Sequence, residues 1–383
     1  MTARIVGLAA LLCVSLGCDG SPSPAGETDT DSAEDSSGGT SDSSATPSTS
    51  GVATTSEPST TSAVTTQTDP GDADSSSGGV GETDSTTGEG PLIDPRVEGE
   101  HEVEVIEVSI ETEAGTTIPL TMHVPTSEGP HPVVVMLSGF LLGPSDYTSY
   151  GEHLGSWGYV VIMPELPGGT QAADRDAVVG LLDWLEGPGT IEGAVLGGRA
   201  DAESLMLGGH SRGGKISFLT ATADARPDAL FGIDPVDSAG GPGAQPGPDN
   251  PSVAPELMPL VLAPMTIVGE TTNAGGSFMS CAPQDENFQQ YFAAATAPAA
   301  AIEFLTANHM SFLDDPNCGF TCSACPAGTD DPSVTRRMTQ GYMVAFAEWQ
   351  LRGRGGYREY LAGDFTQPDV DSGLVTIDTI NGY

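Results

Sequence analysis

The sequence is nearly without lysine. Lys215 is the only one, and Lys plus Arg number 12 against 53 Asp plus Glu. The resulting net charge of −41 repels nucleic acid and anionic membrane surfaces, and it disfavours polyanionic substrates. A neutral substrate is the default, and solubility accounts for most of the acidity. Beyond the N-terminus no apolar stretch has the length of a transmembrane helix. No internal repeat is present, which excludes a solenoid. Cysteine is also sparse. Cys13 and Cys18 lie near the start, which leaves Cys281, Cys318, Cys322 and Cys325 for the rest of the chain.

What is present at the N-terminus reads as an export signal. Arg4 supplies the charge, and Ile5 to Leu16 is an apolar core too short to span a bilayer. Ser15-Leu16-Gly17-Cys18 puts a small residue before Cys, as a bacterial lipoprotein signal does. It predicts cleavage that frees Cys18 for lipidation, the chain's one membrane attachment. Ser15 stands where such signals carry leucine, and an ordinary secretory signal is the alternative. From Asp19 to about Gly90 the chain is Ser, Thr, Gly, Asp, Glu and Pro without Lys or Arg. Such a segment cannot bury enough apolar surface to offset its ordering entropy. The expected organisation is a signal at 1–18, a disordered tether at 19–90 and one folded domain at 91–383. In an exported protein thiols oxidise, so the four later cysteines predict two disulfides with three possible pairings. A zinc site is the alternative.

The folded part alternates two periodicities. His101 to Glu111 and Thr117 to Val124 alternate apolar and polar residues, the pattern of half-buried strands. Pro132 to Leu137 and Tyr159 to Met163 are continuous apolar runs, as in strands covered on both faces. Further strands are expected at Ser204 to Leu207, Ala229 to Ile233, Pro264 to Val268 and Ala300 to Thr306. Helices are expected at Asp146 to Trp157, Asp174 to Glu186, Gly213 to Ala223, Glu286 to Ala295 and Thr335 to Leu351. Ser238 to Pro259, rich in Gly and Pro, predicts a long surface loop. A hairpin followed by repeated strand–helix units predicts an α/β fold, with a mostly parallel sheet and helices on both faces.

The chemistry concentrates at Gly209-His210-Ser211-Arg212-Gly213. The pentapeptide sits between an expected strand and an expected helix, the setting of a nucleophile elbow. There the turn holds Ser211 in a strained conformation, and glycines on either side avoid clashes. A serine hydroxyl needs a base. Of six histidines, His101, His123 and His131 belong to early strands, and His153 sits in a helix. His210 lies inside the elbow with its ring turned away from the nucleophile. His309 follows the last expected strand and is the candidate base. An acid belongs between them at a strand end. Asp234, with Asp237 just beyond, and Glu270 both qualify, and Asp234 is favoured. Two backbone N–H groups should hold an oxyanion. Arg212 follows the nucleophile, and Phe140 lies in the loop Ser138 to Leu141. This chemistry needs no cofactor and no metal.

These residues resemble the chlorophyllase family. The resemblance rests on Gly209-His210-Ser211-Arg212-Gly213-Gly214 and Gly232-Ile233-Asp234-Pro235-Val236-Asp237. It extends over Gly139-Phe140-Leu141-Leu142, Trp157-Gly158-Tyr159, Cys281-Ala282-Pro283, His309-Met310 and Leu313-Asp314-Asp315. It implies an α/β-hydrolase fold and an ester hydrolase with a Ser–Asp–His triad, the acid falling on Asp234. The family's oxyanion loop usually reads His-Gly-Phe, whereas this chain has Ser138. A lipid-like or small-molecule ester is the expected partner. A lipase or polyester hydrolase is a second reading, and a non-catalytic surface binding protein on the same scaffold is a third.

Overall fold

The structure is a computed structural model that describes residues 91–383, apart from 192, 241–243, 276–279 and 324. The expected signal, tether and lipidation site at Cys18 lie outside the described residues. One nine-stranded sheet organises the rest, in the order β1-β2-β4-β3-β5-β6-β7-β8-β9. Strands β1 (Val103–Glu111) and β2 (Thr117–Pro125) form the antiparallel hairpin at one edge. β3 (His131–Leu137), β4 (Val160–Pro164), β5 (Ala200–His210), β6 (Ala229–Ile233), β7 (Met265–Glu270) and β8 (Ala299–Phe304) run parallel. β9 (Val375–Ile380) closes the other edge antiparallel to β8.

The continuous apolar strands are buried on both faces because successive side chains point to opposite sides. Val133, Val135 and Leu137 of β3 enter one core, and Val134 and Met136 enter the other. Helices α2 (Gln171–Glu186), α3 (Arg212–Ala223) and α4 (Phe288–Ala294) contribute to the first core. α1 (Thr148–Ser156) and the long α6 (Pro332–Gln350) contribute to the second. Short α5 (Phe320–Ser323), α7 (Glu359–Ala362) and α8 (Gln367–Asp371) complete the helices. None of the described helices is long and apolar enough to cross a membrane. The architecture is that of an α/β hydrolase.

Two expectations need correction. The strand at Ser204 to Leu207 runs from Ala200 to His210, and its register with β3 shifts between Pro132 and Val133. Its first half carries Asp201 and Glu203, so hydropathy alone truncates it. The segment Ser238 to Pro259 is also more than a surface loop. Val253, Ala254 and Met258 are fully buried, and the Asp237 carboxylate accepts hydrogen bonds from the backbone N–H groups of Val253 and Ala254 and from Ser252 Oγ.

Candidate active site

The candidate triad residues, the oxyanion loop and Glu270 stand at or past the C-terminal ends of parallel strands, where open α/β sheets bind ligands. Ser138 to Leu142 follows β3, Ser211 follows β5, Asp234 follows β6, Glu270 ends β7 and His309 follows β8.

Ser211 caps α3 with φ 54° and ψ −119°. Its N–H donates to Ile233 O at 2.9 Å, which binds the turn to the neighbouring strand. The flanking glycines are required by space. A Cβ on Gly209 would meet Leu137 O at 2.5 Å, and one on Gly213 would meet it at 2.2 Å. Four described non-glycine residues have positive φ, and three of them, Leu141, Ser211 and Asp234, are at this site. Strain held in this way clusters where a fold fixes functional groups.

The structure joins three of the residues named from the sequence in one line of hydrogen bonds. His309 Nε2 lies 2.9 Å from Ser211 Oγ, and His309 Nδ1 lies 2.6 Å from Asp234 Oδ2. Asp234 is fully buried and also accepts the backbone N–H of Glu270 at 3.3 Å. A carboxylate only accepts, so Nδ1 carries the imidazole proton and Nε2 faces Ser211 as an acceptor. Burial pulls the His309 imidazole down to about 4, which keeps it neutral, with Nε2 free to accept a proton, at neutral pH.

The other candidate acids are committed elsewhere. Asp237 pairs with Lys215 and the segment beyond Ser238. Glu270 lies beside Asp234, with its Oε2 accepting Asn273 N–H at 2.8 Å.

His210 turns away from Ser211, as expected, and has a task of its own. Its Nε2 lies 2.9 Å from the carbonyl of His309 and its Nδ1 lies 2.8 Å from Tyr147 Oη. The carbonyl can only accept, so Nε2 carries the proton and Tyr147 donates to Nδ1. Tyr147 Oη in turn accepts Gly139 N–H at 3.1 Å. A buried chain thus links the loop after β3 to the backbone of His309. Burial, together with the neighbouring His309 ring, holds His210 well below the ordinary imidazole range, so it stays neutral.

Asn273 is the residue that sequence reasoning missed. It is buried, its Oδ1 accepts His309 N–H at 2.9 Å, and its Nδ2 donates to Pro326 O at 2.9 Å. The one available signal was its position three residues after Glu270, in a turn-forming run. The cysteines pair as Cys281–Cys325 and Cys318–Cys322, as two disulfides rather than a zinc site. Cys325 follows His309 by 16 residues, so the first bridge ties that loop to the wall of the site.

Two hollows meet at Phe140 and Arg212. One of about 160 Å³ is lined by Ser211, Phe140, Val236, Ser238 and Cys281. The other, of about 370 Å³, is lined by Leu141, Leu142, Pro164 and Leu166 among others. Arg212 is held by a 2.5 Å ion pair with the buried Asp174. Its backbone N–H opens α3, where first-turn N–H groups have no partner within the helix.

Comparison with known proteins agrees with this architecture. The chlorophyllase family model matches residues 96–368. Chlorophyllase-2 of Arabidopsis thaliana is 29% identical over 250 residues, covering 61% of this chain and 78% of that protein. Chlorophyllase type 0 of Chenopodium album is 28% identical, with 64% and 74% covered. Chlorophyllase-1 of Arabidopsis thaliana is 30% identical, with 61% and 76% covered. These relationships support an ester-hydrolase function, and the chain belongs to the chlorophyllase family.

Proposed function

We propose that the protein is a serine esterase that cleaves carboxylic esters through an acyl-enzyme, with Ser211 as nucleophile, His309 as base and Asp234 as the acid that orients it. The observation that carries this reading is the Ser211–His309–Asp234 line of hydrogen bonds on a strained turn.

His309 Nε2 takes the Ser211 hydroxyl proton as Oγ attacks the ester carbonyl carbon. The N–H groups of Phe140 and Arg212 receive the oxyanion, helped by the positive end of the α3 dipole. The carbonyl re-forms, the bond to the alcohol oxygen breaks, and imidazolium Nε2–H protonates the departing alcohol. Water then attacks the acyl carbon with His309 again taking its proton, the bond to Ser211 Oγ breaks as the imidazolium returns a proton to that oxygen, and the acid leaves. Asp234 stays ionised and holds the Nδ1 tautomer throughout.

The substrate is a neutral ester with an apolar part. Phe140 and Leu141 stand at the mouth, 53% and 74% exposed, and favour lipid-like or polymeric esters among the options. The relatives' name adds chlorophyll to the panel to be tested. Hydrolysis of p-nitrophenyl butyrate, followed by a series of longer acyl chains, tests the reading. A folded protein with no turnover on any ester would favour a binding scaffold instead. The disulfides suit an exported setting, with Cys18 as the lipid attachment point and 19–90 as the leash for a catalytic domain at 91–383. Metabolic labelling with a fatty acid, lost in Cys18→Ala, tests the anchor.

A further inference from the structure

Glu270 is a buried carboxyl that the proposed mechanism does not use. Acceptor or donor atoms of Asp234, Glu270 and His309 all lie within 4.8 Å of one another. Glu270 is fully buried, and its Oε1 has no hydrogen-bond partner. Neither carboxyl has a lysine or arginine partner among the described residues. Asp234 Oδ2 faces the His309 N–H, and Asp234 Oδ1 accepts the backbone N–H of Glu270. Glu270 Oε2 accepts Asn273 N–H, and Asn273 Oδ1 holds the backbone of His309. Glu270 therefore stands between the acid and the support of the base.

Two carboxylates this close in a dry site do not both ionise. Asp234 has the imidazole N–H to stabilise its charge, whereas Glu270 Oε1 has nothing. Building on the Ser211–His309–Asp234 reading, we infer that Glu270 is a positioning residue that carries a proton at neutral pH and donates it from Oε1 to Asp234.

The charges that face the pair are acidic, which favours keeping one proton on it. Burial first, then the charge on Asp234, pushes Glu270 up to about 9. Glu303 on β8 adds negative charge near Asp234. Burial likewise raises Asp234, so the two carboxyls titrate as a unit, and the His309 N–H on Asp234 leaves the pair's one proton to Glu270. The proton also gives Glu270 both roles that its neighbours need, a donor on one oxygen and an acceptor on the other. A metal ion in the same place would compete with the His309 Nδ1–H for Asp234 Oδ2.

The test compares wild type, Glu270→Gln, Glu270→Ala and Ser211→Ala over pH 6–10, with an infrared spectrum of each. Glutamine reproduces the donor and the acceptor. Glu270→Gln should keep activity within about threefold at pH 7, whereas Glu270→Ala loses tenfold or more in kcat. Wild-type kcat/KM should fall above about 9, and Glu270→Gln should lack that limb. Wild type should show a protonated-carboxyl C=O band at pH 7 that Glu270→Gln lacks. Equal losses in the glutamine and alanine variants would overturn the proposal. So would the absence of both the alkaline limb and the band, or activity removed by a chelator and restored by a divalent metal. An active Ser211→Ala would instead remove the reading on which the proposal rests.

Discussion

Lys215 Nζ and Asp237 Oδ1 form an ion pair at 2.9 Å, with the lysine side chain wholly out of solvent. The chain's one lysine thus sits in α3, one turn from Ser211, and also donates to Ser238 O at 2.9 Å. Asp237 collects the Lys215 ammonium, Ser252 Oγ and two backbone N–H groups, whereas His309 Nδ1 is paired with Asp234. Burial pulls Lys215 below its ordinary value, and Asp237 and Glu286 act against that pull.

Removing one partner leaves the other charge buried and unpaired. Lys215→Met or Asp237→Asn should therefore cost about 3–5 kcal/mol of stability. Ser238 and Gly240, at the start of the segment Ser238 to Pro259, line the site, so activity should fall along with stability. Urea titration of each variant checks this. A loss under 1 kcal/mol in both would show that the pair does not hold that segment.

Asp234 and Glu270 give opposite expectations as variants. Asp234→Asn puts an amide against His309 Nδ1 and favours the wrong tautomer, so kcat should drop about 10⁴-fold. Glu270→Gln should lose little. A larger loss in Glu270→Gln than in Asp234→Asn, in one assay, would overturn Asp234 as the acid.

The pH profile should be displaced toward acid. His309 is held below the ordinary 6.5 by burial, to about 4. It therefore stays a neutral base down to lower pH than an exposed histidine. The acid limb of kcat/KM, which reports the free enzyme, should lie below 6.5. The same shift acts on stability. The unfolded chain binds this proton at higher pH than the folded one, so His309 costs stability as pH falls from 6.5 toward 4. An acid limb at or above 6.5 would contradict this placement of the base.

Much of the site was legible because its residues sit where local chemistry is restrictive. Gly209 and Gly213 are demanded by contacts of 2.5 and 2.2 Å with Leu137 O, so the pentapeptide was informative in its strand-to-helix setting. His309 and Asp234 follow buried apolar strands that the hydropathy pattern marks clearly. Asn273 was not legible, because its role depends on contacts with residues 36 and 53 positions away. The edge strand β9 was missed for a different reason. Of its six residues only Val375 is buried, so its apolar alternation is weak. The disulfide pairing needed the fold as well, since three connectivities fit the spacing.

The two disulfides should differ in weight. Cys281–Cys325 closes a separation of 44 residues, and Cys318–Cys322 a separation of four. On the loop-entropy account the first contributes about 4 kcal/mol and the second about half of that. Cys281→Ser with Cys325→Ser should lower both Tm and kcat, because the bridge ties the His309 loop to the pocket wall. Cys318→Ser with Cys322→Ser should have the smaller effect on both. The unreduced domain should show a mass lower by about four hydrogens, two for each bridge. Four thiols that alkylate without denaturation would rule the bridges out.

The most direct measurement is the rate of ester hydrolysis by Ser211→Ala, made on protein whose circular dichroism and Tm match wild type. The Oγ of Ser211, 2.9 Å from His309 Nε2, is the atom on which the proposed chemistry rests. The variant should lose about 10⁴-fold or more in kcat on p-nitrophenyl butyrate. Turnover near the wild-type rate would contradict the account.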